Sequence, residues 1–171
     1  MAELVIVDTG CANISSVYFA IKRLGVEPVI SADAKLIKQA KRVILPGVGT
    51  AKAAMHNLAE RDLISTLQGL QQPVLGICLG MQMLTAHSME GDVACLGLIP
   101  GEVAPLNAAG LRLPHMGWNT LHSISQHPLL KGFTEQDYLY FVHSFAVVPS
   151  QYSLAQCHYG SDFAAVIGKD N

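Results

Sequence analysis

Cys78 ends an apolar run, Val74-Leu75-Gly76-Ile77, and is followed by Leu79-Gly80-Met81-Gln82, where a helical pattern begins. A cysteine in this setting can serve as a nucleophile. Gly76 and Gly80 stand two positions to either side, so the backbone can turn sharply from strand to helix and pack closely. The turn lifts the thiol above the strand end, at a helix start whose backbone N–H groups favour the thiolate. A free thiol with a pKa of about 8.5 is only a few per cent thiolate at pH 7, so this placement matters. The plainer alternative is a buried cysteine acting as a small hydrophobe; glycines on both sides of a strand-to-helix switch favour the nucleophile.

A second candidate is Pro46-Gly47-Val48-Gly49-Thr50, which follows one apolar run and precedes a helical one. In an open α/β sheet ligands gather at the carboxyl ends of strands, so this loop and the Cys78 turn are expected to share a crevice. The loop does not complete a G-x-G-x-x-G phosphate fingerprint, because Lys52 stands where the third glycine belongs. It reads better as an oxyanion loop. Gly47 and Gly49 let the Val48 N–H point at a developing negative charge, beside the Leu79 N–H. One such donor contributes about 10²–10³-fold in rate.

The seven histidines have spacings that match no metal motif, and neither a metal nor a cofactor is expected. His56 and His87 fall in helical patterns and read as exposed or packing residues. His127-Pro128 reads as a turn. His143 closes the run Tyr140-Phe141-Val142 and has two open readings, a hydrogen-bonded structural residue or part of a substrate site at a strand end.

These residues need a scaffold, and the chain suggests one. Leu4 to Val7, Glu27 to Ile30, Val43 to Leu45 and Val74 to Cys78 read as strands. Ile14, Val17, Tyr18, Ile21 and Leu24 recur at helical spacing, with Asn13 or Ser15 as cap and Gly25 as stop. Thr50 to Gly69 reads as helical with a break near Glu60, and another helix begins over Gly80 to Ala86. Apolar strands alternating with helices imply an open, mostly parallel sheet covered by helices on both faces. After about Gly97 the pattern changes. Leu98 to Leu113 is rich in Gly and Pro, and Tyr138 to Val148, Ser153 to Tyr159 and Phe163 to Ile167 read as strands, the last two joined by a turn at Gly160-Ser161-Asp162. The second half is therefore expected to be β-rich and partly antiparallel.

Composition narrows the function classes. The chain has 171 residues, half of them hydrophobic and 14% charged, which suits one globular domain. A net charge of −2 with scattered basic residues offers no nucleic-acid footprint. No Lys, Arg, Asp or Glu occurs from Leu63 to Met89, but Gln68, Gln71, Gln72, Pro73 and Gln82 divide that stretch into pieces short for a membrane span. Met1 to Asp8 reads as a strand rather than a signal peptide. Cys11, Cys78, Cys95 and Cys157 lie far apart without a CxxC pair, which fits a reduced, cytoplasmic protein.

Five segments together resemble the class I, or triad, glutamine amidotransferases, and among them the branch of glutaminase subunits serving imidazole glycerol phosphate synthases of histidine biosynthesis. They are Val7 to Asn13, Leu45 to Ala51, Leu75 to Gln82, Pro114-His115-Met116-Gly117-Trp118-Asn119 and Tyr140 to Ala146. The resemblance implies that Cys78 attacks the side-chain amide of glutamine, that Val48 and Leu79 form the oxyanion hole, and that glutamine is held by Gln82 and by backbone at Gly47, Gly49, His143, Ser144 and Phe145. Ammonia would pass to a (β/α)₈ cyclase barrel, with Asn13, Pro114, Met116 and Trp118 at the interface. A core aromatic is the other reading of Trp118.

The resemblance also sets an expectation about completeness. The family's base and its orienting acid come from a His-Pro-Glu motif on a late strand, and none occurs here; His127-Pro128-Leu129 lacks the acid and sits too early. On this reading residues 1–171 are a single amidotransferase domain lacking its last strand and closing helix, exposed along a sheet edge and nearly inactive alone. Two further readings are a catalytically silent subunit that binds the barrel, and a cysteine hydrolase or redox sensor resting on the Cys78 turn alone.

Overall fold

The computed structural model describes residues 2–10 and 13–171. Met1, Cys11 and Ala12 lie outside the described residues, so the Val7 to Asn13 segment is described only at its two ends. By contact the chain forms two compact units, residues 1–98 with Asn171, and residues 99–170.

The first unit runs β1 (Val5–Val7), α1 (Ile14–Arg23), β2 (Val29–Ser31), α2 (Ala34–Gln39), β3 (Val43–Leu45), α3 (Ala51–Glu60), α4 (Ile64–Gln68), β4 (Val74–Gly76), α5 (Leu79–Met83) and the short pair β5 (His87–Ser88) and β6 (Val93–Ala94). Its main sheet is parallel in the order β2-β1-β3-β4. Val5 stands opposite Val43, and Val43 opposite Val74. Every residue of β1 and β3 is buried, as uniformly apolar strands covered on both faces require. Leu4, Ile6 and Ile44 pack with Ile14, Val17, Tyr18 and Ile21, the apolar stripe of α1. Asn13 Oδ1 accepts from the Ser16 N–H at 3.3 Å and so caps α1. The expected break near Glu60 falls at Asp62, where φ is +53°.

Several local expectations need correction. A helix, α2, stands between the second and third strands; Asp33 starts it by accepting from the N–H groups of Lys35 and Leu36. The strand read over Val74 to Cys78 ends at Gly76, because Ile77 and Cys78 form the turn. The following helix stops at Met83 rather than running to Ala86. Thr85 Oγ1 donates to the Gln82 carbonyl at 2.7 Å, and the chain then reverses through Gly91 and Asp92, both at positive φ. His87 therefore belongs to a strand rather than a helix, with Nε2 3.0 Å from Asp92 Oδ1.

The second unit runs β7 (Glu102–Pro105), β8 (His115–Thr120), β9 (Tyr138–His143), β10 (Phe145–Val147), β11 (Ser153–Tyr159) and β12 (Ser161–Ile167). Here pairing is antiparallel throughout. β10 pairs with β7 and β12, β12 with β11, and β8 with β9 as a separate ribbon. Leu106, Leu121, Leu130, Ala146, Cys157 and Phe163 form its core, with Phe141 and Leu139 packed against them. The run Tyr138 to Val148 is two strands, not one. It parts at Ser144, where the chain leaves the ribbon for the other sheet. The last hairpin is tighter than expected. Tyr159 pairs with Ser161 across Gly160 alone, whose φ is +72° and whose missing Cβ leaves room for the Ala108 carbonyl.

Candidate active site

The local order of β4, turn and α5 builds the Cys78 site. Ile77 N–H donates to the Leu45 carbonyl at 3.0 Å, tying the end of the strand to β3. Cys78 then takes φ +55° and ψ −118°, and its carbonyl accepts from Met81 and Gln82 at 3.0 and 3.2 Å to start α5. A non-glycine residue held there stores about 1–3 kcal/mol of strain and needs its surroundings to hold it. Three glycines supply the fit. A Cβ on Gly76 would sit 2.7 Å from the Met81 backbone; one on Gly80 would sit 1.8 Å from the Leu45 oxygen. One on Gly47 would lie 2.9 Å from the Gly80 nitrogen and 3.0 Å from Leu79 Cβ.

The Gly47 contact places the Pro46 to Thr50 loop against the Cys78 turn, both at the carboxyl ends of neighbouring strands β3 and β4. Cys78 itself is exposed. Leu79 opens α5, so its N–H has no intrahelical acceptor. Among the described residues no hydrogen bond uses the Val48 N–H, and Val48 is 49% exposed. Gly49, at φ +95°, has open space around it. The far end of the loop is anchored. Thr50 caps α3, and Glu90 accepts from the Ala51 N–H at 3.1 Å. Gln82 lies half-buried within α5, four residues after Cys78. Gly47, Val48, Gly49, Cys78, Leu79 and Gln82 are thus neighbours in the first unit.

The two histidines of this unit are engaged elsewhere, His56 with Glu60 at 3.4 Å and His87 with Asp92. The other described thiols are less available. Burial pushes Cys95 upward and Cys157 up to about 11. Among the described residues no cluster of three or more His, Cys, Asp or Glu could hold a metal ion. Among the described residues no helix is long and apolar enough to cross a membrane either.

The second unit holds the remaining candidates. On the β8–β9 ribbon, Met116 pairs with Val142, Trp118 with Tyr140 and Thr120 with Tyr138. Met116, Trp118, Tyr138, Tyr140 and Val142 are all exposed, so one ribbon face is an apolar patch. Trp118 is 66% exposed and meets Tyr140 edge-on, which removes the core reading of that residue. Pro114, after a cis peptide bond, borders the same ribbon, and Asn13 in the first unit is exposed. His143, Ser144 and Phe145 are half-buried where β9 passes into β10.

His143 is hydrogen-bonded to the Phe145 carbonyl at 3.0 Å and to His115 at 2.9 Å, so its structural reading holds in the second unit. His115, only 3% exposed, is a residue that motif reasoning passed over. The signal lay in the alternation of His115, Gly117 and Asn119 against outward Met116 and Trp118.

Comparison with known proteins gives a consistent picture. A family model described as "Glutamine amidotransferase class-I" matches residues 5–171. The imidazole glycerol phosphate synthase subunit HisH of Colwellia psychrerythraea is 56% identical over 185 aligned residues, covering 99% of this chain and 82% of that protein. The HisH subunit of Haemophilus influenzae is 52% identical over 171 residues, covering 100% of this chain and 86% of its own length. Among solved structures, a putative GMP synthase subunit from Thermoplasma acidophilum superposes with a TM-score of 0.68 at 15% identity, covering 98% of this chain and 80% of that one. A glutamine amidotransferase structure gives 0.68 at 18% identity, covering 92% and 85%. The last two speak to the fold, an α/β arrangement with a parallel sheet.

Proposed function

Because the chain belongs to the class-I glutamine amidotransferase family, we propose that it is the glutaminase subunit of an imidazole glycerol phosphate synthase, working in the cytoplasm in histidine biosynthesis. The observation that carries this is the exposed, positive-φ Cys78, held by the close approach of Gly80 to Leu45 and flanked by the Gly47 loop. Nothing in the relatives favours a catalytically silent subunit.

In this reading the Cys78 sulfur attacks the side-chain carbonyl carbon of glutamine. The carbonyl oxygen becomes an oxyanion, and the N–H groups of Val48 and Leu79 stabilise it. Collapse expels ammonia and leaves a thioester on Cys78. Water adds to that thioester, and a second collapse releases glutamate and restores the thiol. Gln82 and the backbone of Gly47 and Gly49 orient the substrate, and we assign the backbone of His143, Ser144 and Phe145 to the same substrate. The proton transfers need an imidazole, which the described residues of the first unit do not bring to Cys78.

Ammonia then passes to a (β/α)₈ cyclase barrel. The apolar face of the β8–β9 ribbon, with Met116, Trp118 and the neighbouring Pro114, supports a protein partner, since contiguous exposed aromatics and aliphatics mark interaction surfaces. We assign Asn13 to that interface as well. The test is capture of a reactive glutamine analogue by Cys78 together with sedimentation of the chain with the cyclase barrel. An adduct on Cys78 and a one-to-one complex support the reading; an adduct elsewhere or two separate sedimenting species contradicts it.

A further inference from the structure

A neutral imidazole has one donor and one acceptor nitrogen, so its neighbours decide its tautomer. The Phe145 carbonyl can only accept; His143 Nδ1, 3.0 Å away, therefore carries the proton. His143 Nε2 must then accept, and the atom facing it at 2.9 Å, His115 Nδ1, must donate. That leaves His115 Nε2 as an acceptor, opposite Asn119 Nδ2 at 3.4 Å. Asn119 is oriented independently. Its Oδ1 accepts from the Thr120 N–H at 2.8 Å and its Nδ2 donates to the His158 carbonyl at 2.9 Å. The sequence Asn119 to His115 to His143 to Phe145 is therefore a chain of donors pointing one way, with backbone groups fixing both ends.

The surroundings leave this chain no alternative. The His115 ring stacks on Phe141 of β9 at 5.0 Å and on Tyr159 of β11 at 4.0 Å, and Phe163 of β12 meets both imidazoles edge-on. The Tyr159 hydroxyl is turned away, donating to the Arg112 carbonyl at 2.7 Å. Among the described residues no carboxylate, ammonium or guanidinium is paired with either ring. A second proton on His143 would set its Nε2–H against the His115 Nδ1–H, and one on His115 would set its Nε2–H against the Asn119 amide N–H. Burial holds both rings below the ordinary histidine value, and the charge of one disfavours that of the other.

Apolar rings would fill this space without the cost of buried polar atoms, so the polar chain has to do something packing alone does not. It reaches a place where the backbone changes sheets, the β9–β10 junction at Ser144. We propose that His115 is a positioning residue: as its Nδ1–H tautomer it holds His143, and through it the backbone of Ser144 and Phe145, in a single arrangement that protonation of the pair breaks. The claim deepens the glutaminase reading and rests on it, since that reading gives this backbone to glutamine.

Two measurements test it. The first is nitrogen NMR of ring-labelled histidines in the whole chain at about pH 7.5, well above the ordinary histidine pKa. The chain of donors requires Nδ1–H and bare Nε2 on both His115 and His143; an Nε2–H on either overturns it. The second is the concentration dependence of Cys78 capture by a reactive glutamine analogue, with the cyclase barrel present. His115→Phe keeps the ring stack but leaves His143 Nε2 without a donor; His115→Asn returns an amide N–H near the Nδ1 position.

The Phe variant is expected to raise the half-saturating concentration about tenfold at an unchanged limiting rate, as an orphaned buried acceptor displaces the segment. The Asn variant recovers most of that loss. The wild-type value rises as pH falls through the histidine pair's own values, which lie below the ordinary 6.5, whereas that of the Phe variant stays flat. Equal behaviour of the two variants, or a wild-type curve indifferent to pH, overturns the positioning role. If the Phe variant does not fold, the wild-type pH curve and tautomers still decide. A wild type with the required tautomers but no Cys78 adduct refutes the glutaminase reading, and the positioning role with it, while the donor chain stands.

Discussion

The carbonyl oxygen of Leu45 occupies the space that a side chain on Gly80 would need, 1.8 Å from where its Cβ would stand. This contact joins the end of β3 to the first turn of α5 and holds Cys78 between them at positive φ. Gly80→Ala should therefore lower stability by about 3 kcal/mol or more, the overpacking being against backbone that cannot rotate away. Denaturant unfolding of the variant checks this; a midpoint near that of the wild type would mean the turn is looser than its packing implies.

Val48 contributes through its backbone, so ordinary side-chain substitutions there should be mild. Val48→Pro removes the N–H itself. With the barrel present, capture by Cys78 of a reactive glutamine analogue that passes through a tetrahedral adduct should fall about 10²-fold or more in limiting rate, at a little-changed half-saturating concentration, because the donor acts on charge formed only in the transition state. Capture kinetics of the pair Val48→Ala and Val48→Pro distinguish the cases. Equal rates in both would remove Val48 from the oxyanion site.

Trp118 stands out from the ribbon beside Tyr140. Trp118→Ala should weaken association with the cyclase barrel by about thirtyfold, or about 2 kcal/mol, as truncation of a central aromatic anchor does. Thermal stability of the free chain should barely change, since the indole buries little of its surface within this chain. Titration calorimetry and a melting curve on the same sample test both halves of the statement.

Stability should depend on pH in a window set by the histidine pair. His115 and His143 titrate below their ordinary value of 6.5, mainly through burial. Between that depressed value and 6.5 the unfolded chain binds more protons than the folded one, so stability rises with pH. It is fully present above about 6.5 and is lost as pH falls through the folded-state values. Asp162, drawn below 3.8 by its hydrogen bond to His158, acts in a lower and separate window. Denaturant midpoints measured from pH 5 to 8 should climb and then level; His115→Phe should flatten the climb.

The legible parts of the fold were those whose signal is local. β1 and β3 are continuous apolar runs, and runs of that kind mark strands buried on both faces. The Cys78 turn was readable because its glycines flank it closely in sequence. α2 was not readable, since it is six residues long with Ile37 as its one buried position. The division at Ser144 was hidden for a different reason. Tyr138 to Val148 has one continuous strand composition, and only pairing with β8 on one side and β7 on the other splits it. His115 drew no attention because its meaning depends on standing opposite His143, 28 residues away, in the ribbon register. The contact of Gly47 with Leu79 and Gly80 likewise exists only after β3 and β4 have paired.

The most direct test is the site of covalent capture. The whole chain, with the cyclase barrel, is treated with a reactive glutamine analogue and mapped by peptide mass spectrometry, with and without excess glutamine. One glutamine-protected adduct on Cys78, absent from Cys78→Ala while that variant still binds the barrel, is the expected result. A chain that carries the adduct on Cys95 or Cys157, or a Cys78→Ala variant labelled as fast as the wild type, would contradict the account.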